Sequence, residues 1–504
     1  MTVTINRNPD NFVNICADSL VYVVADLEPL TLERARNAVE KWLDGYLVGS
    51  QVGAVLLNVC YNVSLADSKV WDTAWRKVTG ETISYQQLDA IGHWHKHFVR
   101  MKELGIDLYQ IACSHLRRRG VAPWISVRMN EYHYLAHWET AASFWTEHPE
   151  YRLAVDAPFD YSHQEVRDYY LSYIEEQCRL HDVDGVELDM LRGDRFFPQP
   201  VSADKVGLLN SFLRQIRRRV DAVAREKGHP IRISARCYPT PESSRQRGWD
   251  PVAWMAEGSV DLLTLGNFFI PNCYDIPVER WRELLSKAGV PKERCRLNAG
   301  CDYGNFALPF NGEEYRCQRN DTASMKGFAA MAFERGADGI YSYNSFLADS
   351  MDWSAFGSYD RAMEGIRRHI LTNATDGWEG KDCPPLPAEL SPGEERSFTL
   401  YTAKRPEKGE YLVRVGLRNP REEVEVLVNG QAARQVRDYT DGRLYSREKP
   451  AWGIVEDLTQ VAPRIAQYRL EDLSCACDGY NLITLRSKEL GAAVIWLEVA
   501  VTCE

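Results

Sequence analysis

The segment Asp184-Gly185-Val186-Glu187-Leu188-Asp189-Met190-Leu191-Arg192 holds the residue types best spaced for chemistry. It is a short apolar run, too short for a helix and opened by Asp-Gly, interrupted by two carboxylates two residues apart. In a strand, positions i and i+2 point to the same side, so Glu187 and Asp189 should face one interior together. Asp189 stands nearer the C-terminal end, and a loop carrying Arg192, Asp194 and Arg195 follows. An unpaired buried carboxylate is expensive. Such a pair implies neighbouring cations, a shared proton or a reactive site, and perturbed acids cluster at functional sites.

Placing that strand requires a repeating scaffold. From Leu20 onward strand-like apolar runs alternate with helical patterns, the signature of a parallel sheet built from βα units. Expected strands cover residues 21–25, 54–59, 123–127, 185–189, 231–236, 261–267, 296–302 and 339–344. Expected helices cover 31–47, 97–119, 162–181, 208–227, 250–257, 278–288, 323–335 and 359–369, with Ser162 and Glu165 as a capping box. Eight repeats predict a (β/α)8 TIM barrel over residues 1–375. Cys383-Pro384-Pro385-Leu386-Pro387 marks a linker at 376–390. Period-two alternation over 391–504 predicts a C-terminal antiparallel β-sandwich, with a hairpin turn at Asn429-Gly430.

In a TIM barrel the chemistry sits at the C-terminal ends of the strands. The polar residues there are Asp26 and Glu28; Asn58 and Asn62; Arg128, Asn130, Glu131 and His133; Glu187, Asp189 and Arg192; Arg236, Tyr238 and Glu242; Asn267; Asn298 and Asp302; Ser342, Tyr343 and Asn344. Such a ring suits a polyhydroxylated ligand. No glycine-rich phosphate cradle follows strand seven or eight, and no Lys lies at a strand end, which disfavours phosphorylated substrates and Schiff-base chemistry. Carboxylate chemistry on a sugar remains. It needs one acid to protonate the leaving oxygen and one carboxylate as nucleophile or base. Asp189 is the nucleophile candidate, Glu242 the first choice of acid and Asp302 the second; the deeper Glu187 would shift a neighbour's titration or hold Arg128 or Arg236. Arg128, Arg192, Arg195, Arg236 and Arg245 either bind an acidic or sulfated glycan or neutralise Glu187, Asp189 and Glu131.

Composition sets further limits. A net charge of −11 argues against nucleic-acid and acidic-membrane partners. The 14 Trp and 25 Tyr fit sugar stacking and a large core equally. The 13 Cys, odd in number and scattered, read as reduced thiols. Cys475 and Cys477 lack a second pair for zinc, and His93, His95 and His97 fall on a helical pattern that spreads them. No cofactor and no metal is expected. Without a signal-peptide core or a membrane-spanning run, the chain is expected in the cytoplasm, or exported if a leader has been removed. The sandwich offers an interface for a homo-oligomer.

The segment 184–189 is similar to the fourth-strand "DG-hydrophobic-x-x-D" stretch of barrel glycoside hydrolases and of the glycosyl-hydrolase-like barrel proteins of bacteria. Arg128-Met129-Asn130-Glu131-Tyr132-His133 also looks like those proteins' third-strand segment. The resemblance covers about residues 20–370. Acids after strands four, five and seven resemble the α-amylase superfamily, which implies Asp189 as nucleophile, Glu242 as acid and Asp302 as stabiliser. Glu187 departs from that pattern, standing where the superfamily has an Arg two residues before the nucleophile, and Glu242 lies farther past its strand. The expected function is hydrolysis of a glycosidic bond, retaining and exo-acting, with Asn58, Arg128, Asn130, His133, Arg192, Arg236, Tyr238, Asn267, Tyr303, Tyr343 and Asn344 binding substrate. Two alternatives remain: a non-catalytic carbohydrate-binding barrel, and a metal-dependent hydrolase or isomerase using Glu131, His133, Glu187 and Asp189.

Overall fold

The computed structural model describes residues 7–75, 93–132, 141–267, 272–302, 304–306, 315–344, 348, 351–371, 386–440, 454–455 and 464–503. Strands β1 (Asn8–Ile15), β2 (Val52–Asn58), β3 (Ala122–Arg128), β4 (Gly185–Asp189), β5 (Arg232–Cys237), β6 (Leu262–Gly266) and β7 (Arg296–Cys301) come first. The short pair β8 (Gly304–Phe306) and β9 (Tyr315–Arg319) precedes β10 (Gly339–Ser342). The parallel barrel closes in the order β1-β10-β7-β6-β5-β4-β3-β2. Register fixes which side chains share a level: Ser126, Glu187 and Ser234 are neighbours across β3, β4 and β5, and so are Arg128, Asp189 and Arg236.

The first strand is not the expected one. Residues 21–25 lie in the helix Ala17–Ala25, where Leu20, Val21 and Val24 are buried and Tyr22 is exposed, and Asn8–Ile15 takes the barrel position. A five-residue apolar run has no period to separate strand from helix. Asp26 therefore caps that helix, and Glu28 pairs with Arg100 on the surface at 2.9 Å, so neither stands at a strand end.

Four helices also differ, one of them, expected at 208–227, starting five residues earlier at Ala203. The stretch 97–119 is two helices, His93–Glu103 and Leu108–Arg118, broken at Gly105 (φ 65°) and restarted by the Asp107 side chain capping Gln110 N at 3.0 Å. The helix Gln164–Leu180 has no side-chain cap, because Ser162 N donates to Asp160 Oδ1 at 2.8 Å instead of opening a capping box. The closing helix ends at Met363, and Ile366–Leu371 is a strand, β11.

The remaining strands are β12 (Ala388–Leu390), β13 (Glu395–Tyr401), β14 (Gly409–Leu417), β15 (Val424–Val428), β16 (Gln431–Ala432), β17 (Arg434–Gln435), β18 (Ile454–Val455), β19 (Arg464–Arg469), β20 (Tyr480–Ser487) and β21 (Ala492–Cys503). One antiparallel sheet runs β11-β21-β14-β19-β17 with β12 also on β21; a second runs β13-β20-β15-β16. Their inner faces share one core that includes Tyr411, Val413, Val426, Ile483, Leu485 and Val499, which makes the expected sandwich. β21 is flanked by β11 and β14.

Compactness divides the chain into two units. One is Met1–Leu265, Glu279–Asn298 and Tyr341–Asp349; the other is Gly266–Val278, Ala299–Ile340 and Ser350–Glu504. Among the described residues no helix is long and apolar enough to cross a membrane.

Candidate active site

Alternation along the barrel strands builds the interior in levels. At the lowest, Phe12, Ala54, Leu56, Trp124 and Leu262 form an apolar floor, with the Phe12 and Trp124 ring centroids 4.9 Å apart. Gly185 makes the floor possible: a Cβ there would lie 2.3 Å from the Trp124 ring. Two residues on, β4 presents Glu187 instead of an apolar side chain. Its Oε1 accepts from Ser126 Oγ (2.7 Å), Tyr341 OH (2.8 Å) and Asn14 Nδ2 (3.3 Å), and its Oε2 has no partner. Two residues further, Asp189 pairs with Arg236 Nη1 at 3.3 Å from the adjacent strand. The Arg236 guanidinium lies 3.7 Å from the Tyr343 ring centroid, a cation–π contact in a desolvated setting. The two acids do share one face, and both are fully buried.

Above them stands a second cluster. Arg128 Nη1 donates to Glu131 Oε2 at 2.8 Å, and Arg192 Nε reaches the same oxygen at 3.2 Å. Arg128 Nη2 also donates to Cys16 Sγ at 3.1 Å, just past β1. The loop after β4 that carries Arg192 is pinned by Gly193 (φ 81°), where a Cβ would fall 1.6 Å from the Asn130 carbonyl oxygen. Only glycine satisfies both the positive φ and that approach. Asn130 is a strut: its Nδ2 donates to the Phe159 (2.9 Å) and Arg195 (2.6 Å) carbonyls, and its Oδ1 accepts from Phe159 N. Tyr238 donates to Asp194 Oδ2 at 2.6 Å, and Arg247 pairs with the same carboxylate at 2.8 Å.

The other expected site residues fall as follows. Glu242 is half exposed in the first turn of the helix Pro241–Gln246 and pairs with Arg280 at 2.6 Å, away from the buried acids' bonding network. Asn58 is buried at the end of β2, its Nδ2 donating to the Ser126 carbonyl. Asn344, also buried, takes a left-handed backbone (φ 50°) after β10. Asn267 and Asp302 are buried in the second unit, and Asp302 N donates to Asn272 Oδ1 at 2.6 Å. His133 and Tyr303 lie outside the described residues. Spacing missed Asn14, Ser126 and Tyr341: Ser126 and Tyr341 lie on expected strands, whereas Asn14 lies on the strand that the sequence hid. Among the described residues no group of three or more His, Cys, Asp or Glu side chains is placed to hold a metal ion.

The two β4 acids sit in different electrostatic settings. Burial and the neighbouring Asp189 charge push Glu187 up to about 8, against the downward pull of the Ser126 bond, of Arg236 and of the Tyr341 bond. Asp189 has its guanidinium partner. One carboxyl is thus held neutral and the other ion-paired within one strand, the separation of roles that acid–base sites use. Arg236 of β5, the register partner of Asp189, is the cation beside it.

No protein-family model matches the chain, and no curated protein matches it. Solved structures resemble it at low identity. A cycloisomaltooligosaccharide glucanotransferase from Paenibacillus sp. is 10% identical with a TM-score of 0.37, the match covering 99% of this chain and 58% of that one. The PgaB (BpsB) glycoside hydrolase domain from Bordetella bronchiseptica is 11% identical with a TM-score of 0.40, covering 66% of this chain and 93% of that one. A class V chitinase from Nicotiana tobaccum is 12% identical with a TM-score of 0.35, covering 68% and 97%. This chain therefore spans little more than half of the glucanotransferase. The fold assignment rests on the strand pairing itself.

Proposed function

We propose that the chain is a glycoside hydrolase whose two working carboxyls are Asp189 and Glu187. The observation that carries this is the division of labour on Glu187. Three donors occupy Oε1, so the proton of the neutral acid resides on Oε2, which is left free to give it to a leaving oxygen. Asp189, oriented by Arg236, then attacks the anomeric carbon, and the product keeps the anomeric configuration. Glu187 is preferred to Glu242 because Glu242 is half exposed and paired with Arg280.

Charge supports an acidic or sulfated glycan. Arg128, Arg192 and Arg236 gather around Glu131 and Asp189, and guanidinium forks match the oxyanions of uronates and sulfate esters.

The test is hydrolysis of aryl glycosides and of neutral, uronate-bearing and sulfated oligosaccharides by the parent, Asp189→Asn, Glu187→Gln and Glu242→Gln proteins, with and without chelator. Expected are loss of turnover in Asp189→Asn, a drop of roughly 10²–10⁴ in Glu187→Gln, near-parental Glu242→Gln, indifference to chelator, retained configuration in the product and preference for the anionic sugars. Sugar binding without turnover by the parent would instead make the chain a carbohydrate-binding barrel. Activity lost with chelator and restored by a divalent ion would favour the metal-dependent alternative.

A further inference from the structure

Two nitrogens of the Arg128 guanidinium are committed and the third is not. Nη1 donates to Glu131 and Nη2 to Cys16 Sγ, while Nε is buried and has no hydrogen-bond partner among the described residues. Tyr343, just past the end of β10, repeats the pattern. Its ring lies against the Arg236 guanidinium, and its hydroxyl is buried with no partner among the described residues. A buried polar group left unpaired costs as much as a lost hydrogen bond, so two of them near one carboxylate point to a missing ligand.

Both groups belong to the level of Asp189. Arg128 and Arg236 are its register partners on either side. The Arg236 guanidinium that pairs with Asp189 is the one stacked on Tyr343, 3.7 Å from the ring centroid. Burial holds the Tyr343 phenol above its ordinary range, with the Asp189 charge and against those of Arg192, Arg128 and Arg236, so it stays protonated and able to donate. Two acceptors accompany these donors. Asn58 Oδ1 at the end of β2 and Asn344 Oδ1 are also buried and unpartnered among the described residues. The strands that carry the four groups fall within one arc of the barrel, β10-β1-β2-β3, and all four lie in one compact unit.

Their chemistry selects the ligand. Arg128 Nε can only donate, and the amide oxygens can only accept. A cation is repelled by Arg128 and Arg236. An anionic group on a sugar meets two unpaired donors: a hydroxymethyl group would bring one oxygen to them, a sulfate ester three, and a carboxylate two. The amide oxygens suit hydroxyls of the same molecule.

We propose that these four groups form the subsite for the sugar that reacts with Asp189, and that this sugar is a uronic acid. Its carboxylate lies on Arg128 Nε and Tyr343 OH, and its ring hydroxyls lie on Asn58 and Asn344. The role of Asp189 rests on the hydrolysis proposed above, and the subsite decides between the carboxylated and sulfated glycans left open there. Tyr343 is its specificity-determining residue, because the ring serves Arg236 while the hydroxyl serves only the substrate.

Binding is measured apart from turnover, by calorimetric titration of the full chain with free glucuronate, galacturonate, mannuronate and iduronate, the matching neutral sugars and their 6-sulfates. At least one uronate should bind about ten times more tightly, or better, than its neutral and sulfated counterparts. Tyr343→Phe keeps the ring and removes only the hydroxyl. It should weaken that uronate about tenfold to a hundredfold and leave the neutral sugar unchanged. A crystal structure of the parent with the uronate should place the carboxylate within hydrogen-bonding distance of Arg128 Nε and Tyr343 OH. Failure of all four uronates to bind, equal binding of the neutral or sulfated sugars, or a carboxylate seated elsewhere overturns the subsite, and so does parental uronate affinity in a folded Tyr343→Phe protein. Uronate binding by a chain that cleaves no glycoside refutes the hydrolase and leaves the subsite standing; cleavage of neutral glycosides with no preference for uronates does the reverse.

Discussion

Glu187 ties a titration to both activity and stability. Its folded value of about 8 lies above the ordinary 4.5, so the folded state holds a proton that the unfolded chain releases between those values. Stability should therefore fall as pH rises from about 4.5 towards 8, and under the proposed mechanism, in which neutral Glu187 gives the proton, hydrolysis should fade as pH passes about 8. Thermal melts and pH–rate profiles of the parent and Glu187→Gln check both; the substitution should remove the alkaline slope in stability and the alkaline limb of whatever activity remains. The acids themselves were readable from sequence, because two carboxylates at i and i+2 in a five-residue apolar run have few other uses. Their partners were not. Which of Asn14, Ser126 and Tyr341 reaches Glu187 depends on the tilt and register of strands far apart in sequence. Glu242 shows the converse: position after a strand made it a candidate, and a short helix turned it to the surface.

Among the elements, the barrel strands after the first were legible to within a residue or two because apolar runs and turn residues agree there. Asn8–Ile15 was hidden by its own function. A Pro, an Asp and three Asn read as turn residues, yet Asn14 points inward to Glu187 and the Asp10 carbonyl holds Asn298. The sandwich strands were visible by alternation, and the Asn429-Gly430 turn formed as expected, both residues having positive φ (50° and 85°). Nothing lies within 4 Å of a Cβ on Gly430, so Gly430→Ala should cost only its backbone strain, about 1 kcal/mol, measurable by denaturant unfolding. Alternation could not foresee the burial of Glu498, which lies on the face of β21 opposite the core-facing Leu497 and Val499 yet is fully buried. Arg368 on β11 (2.6 Å) and Arg414 on β14 (2.9 Å) hold it, as does Trp496 Nε1 (3.0 Å), so one carboxylate pins three adjacent strands. Burial alone would raise it, but the two guanidiniums draw it down to about 2. Its contribution is present above about pH 4.5 and is lost as pH falls towards 2. Glu498→Gln should destabilise the fold by about 3 kcal/mol at neutral pH, with the loss shrinking in acid melts.

At the scale of the whole chain, the barrel is local in sequence and the sheet around β21 is not. Each barrel strand β2 to β6 pairs with its predecessor, whereas Ile366 of β11 pairs with Thr502 and Gly409 of β14 with Cys503. The strand lying between β11 and β14 is thus the last of the three to be made. On the ribosome, a nascent chain displays β11 and β14 as two bare edges carrying Arg368 and Arg414 until Ala492–Cys503 emerges between them with Glu498. Synthesis therefore passes through a long interval in which those edges must be kept apart or shielded, and a message truncated before codon 492 would strand the product there.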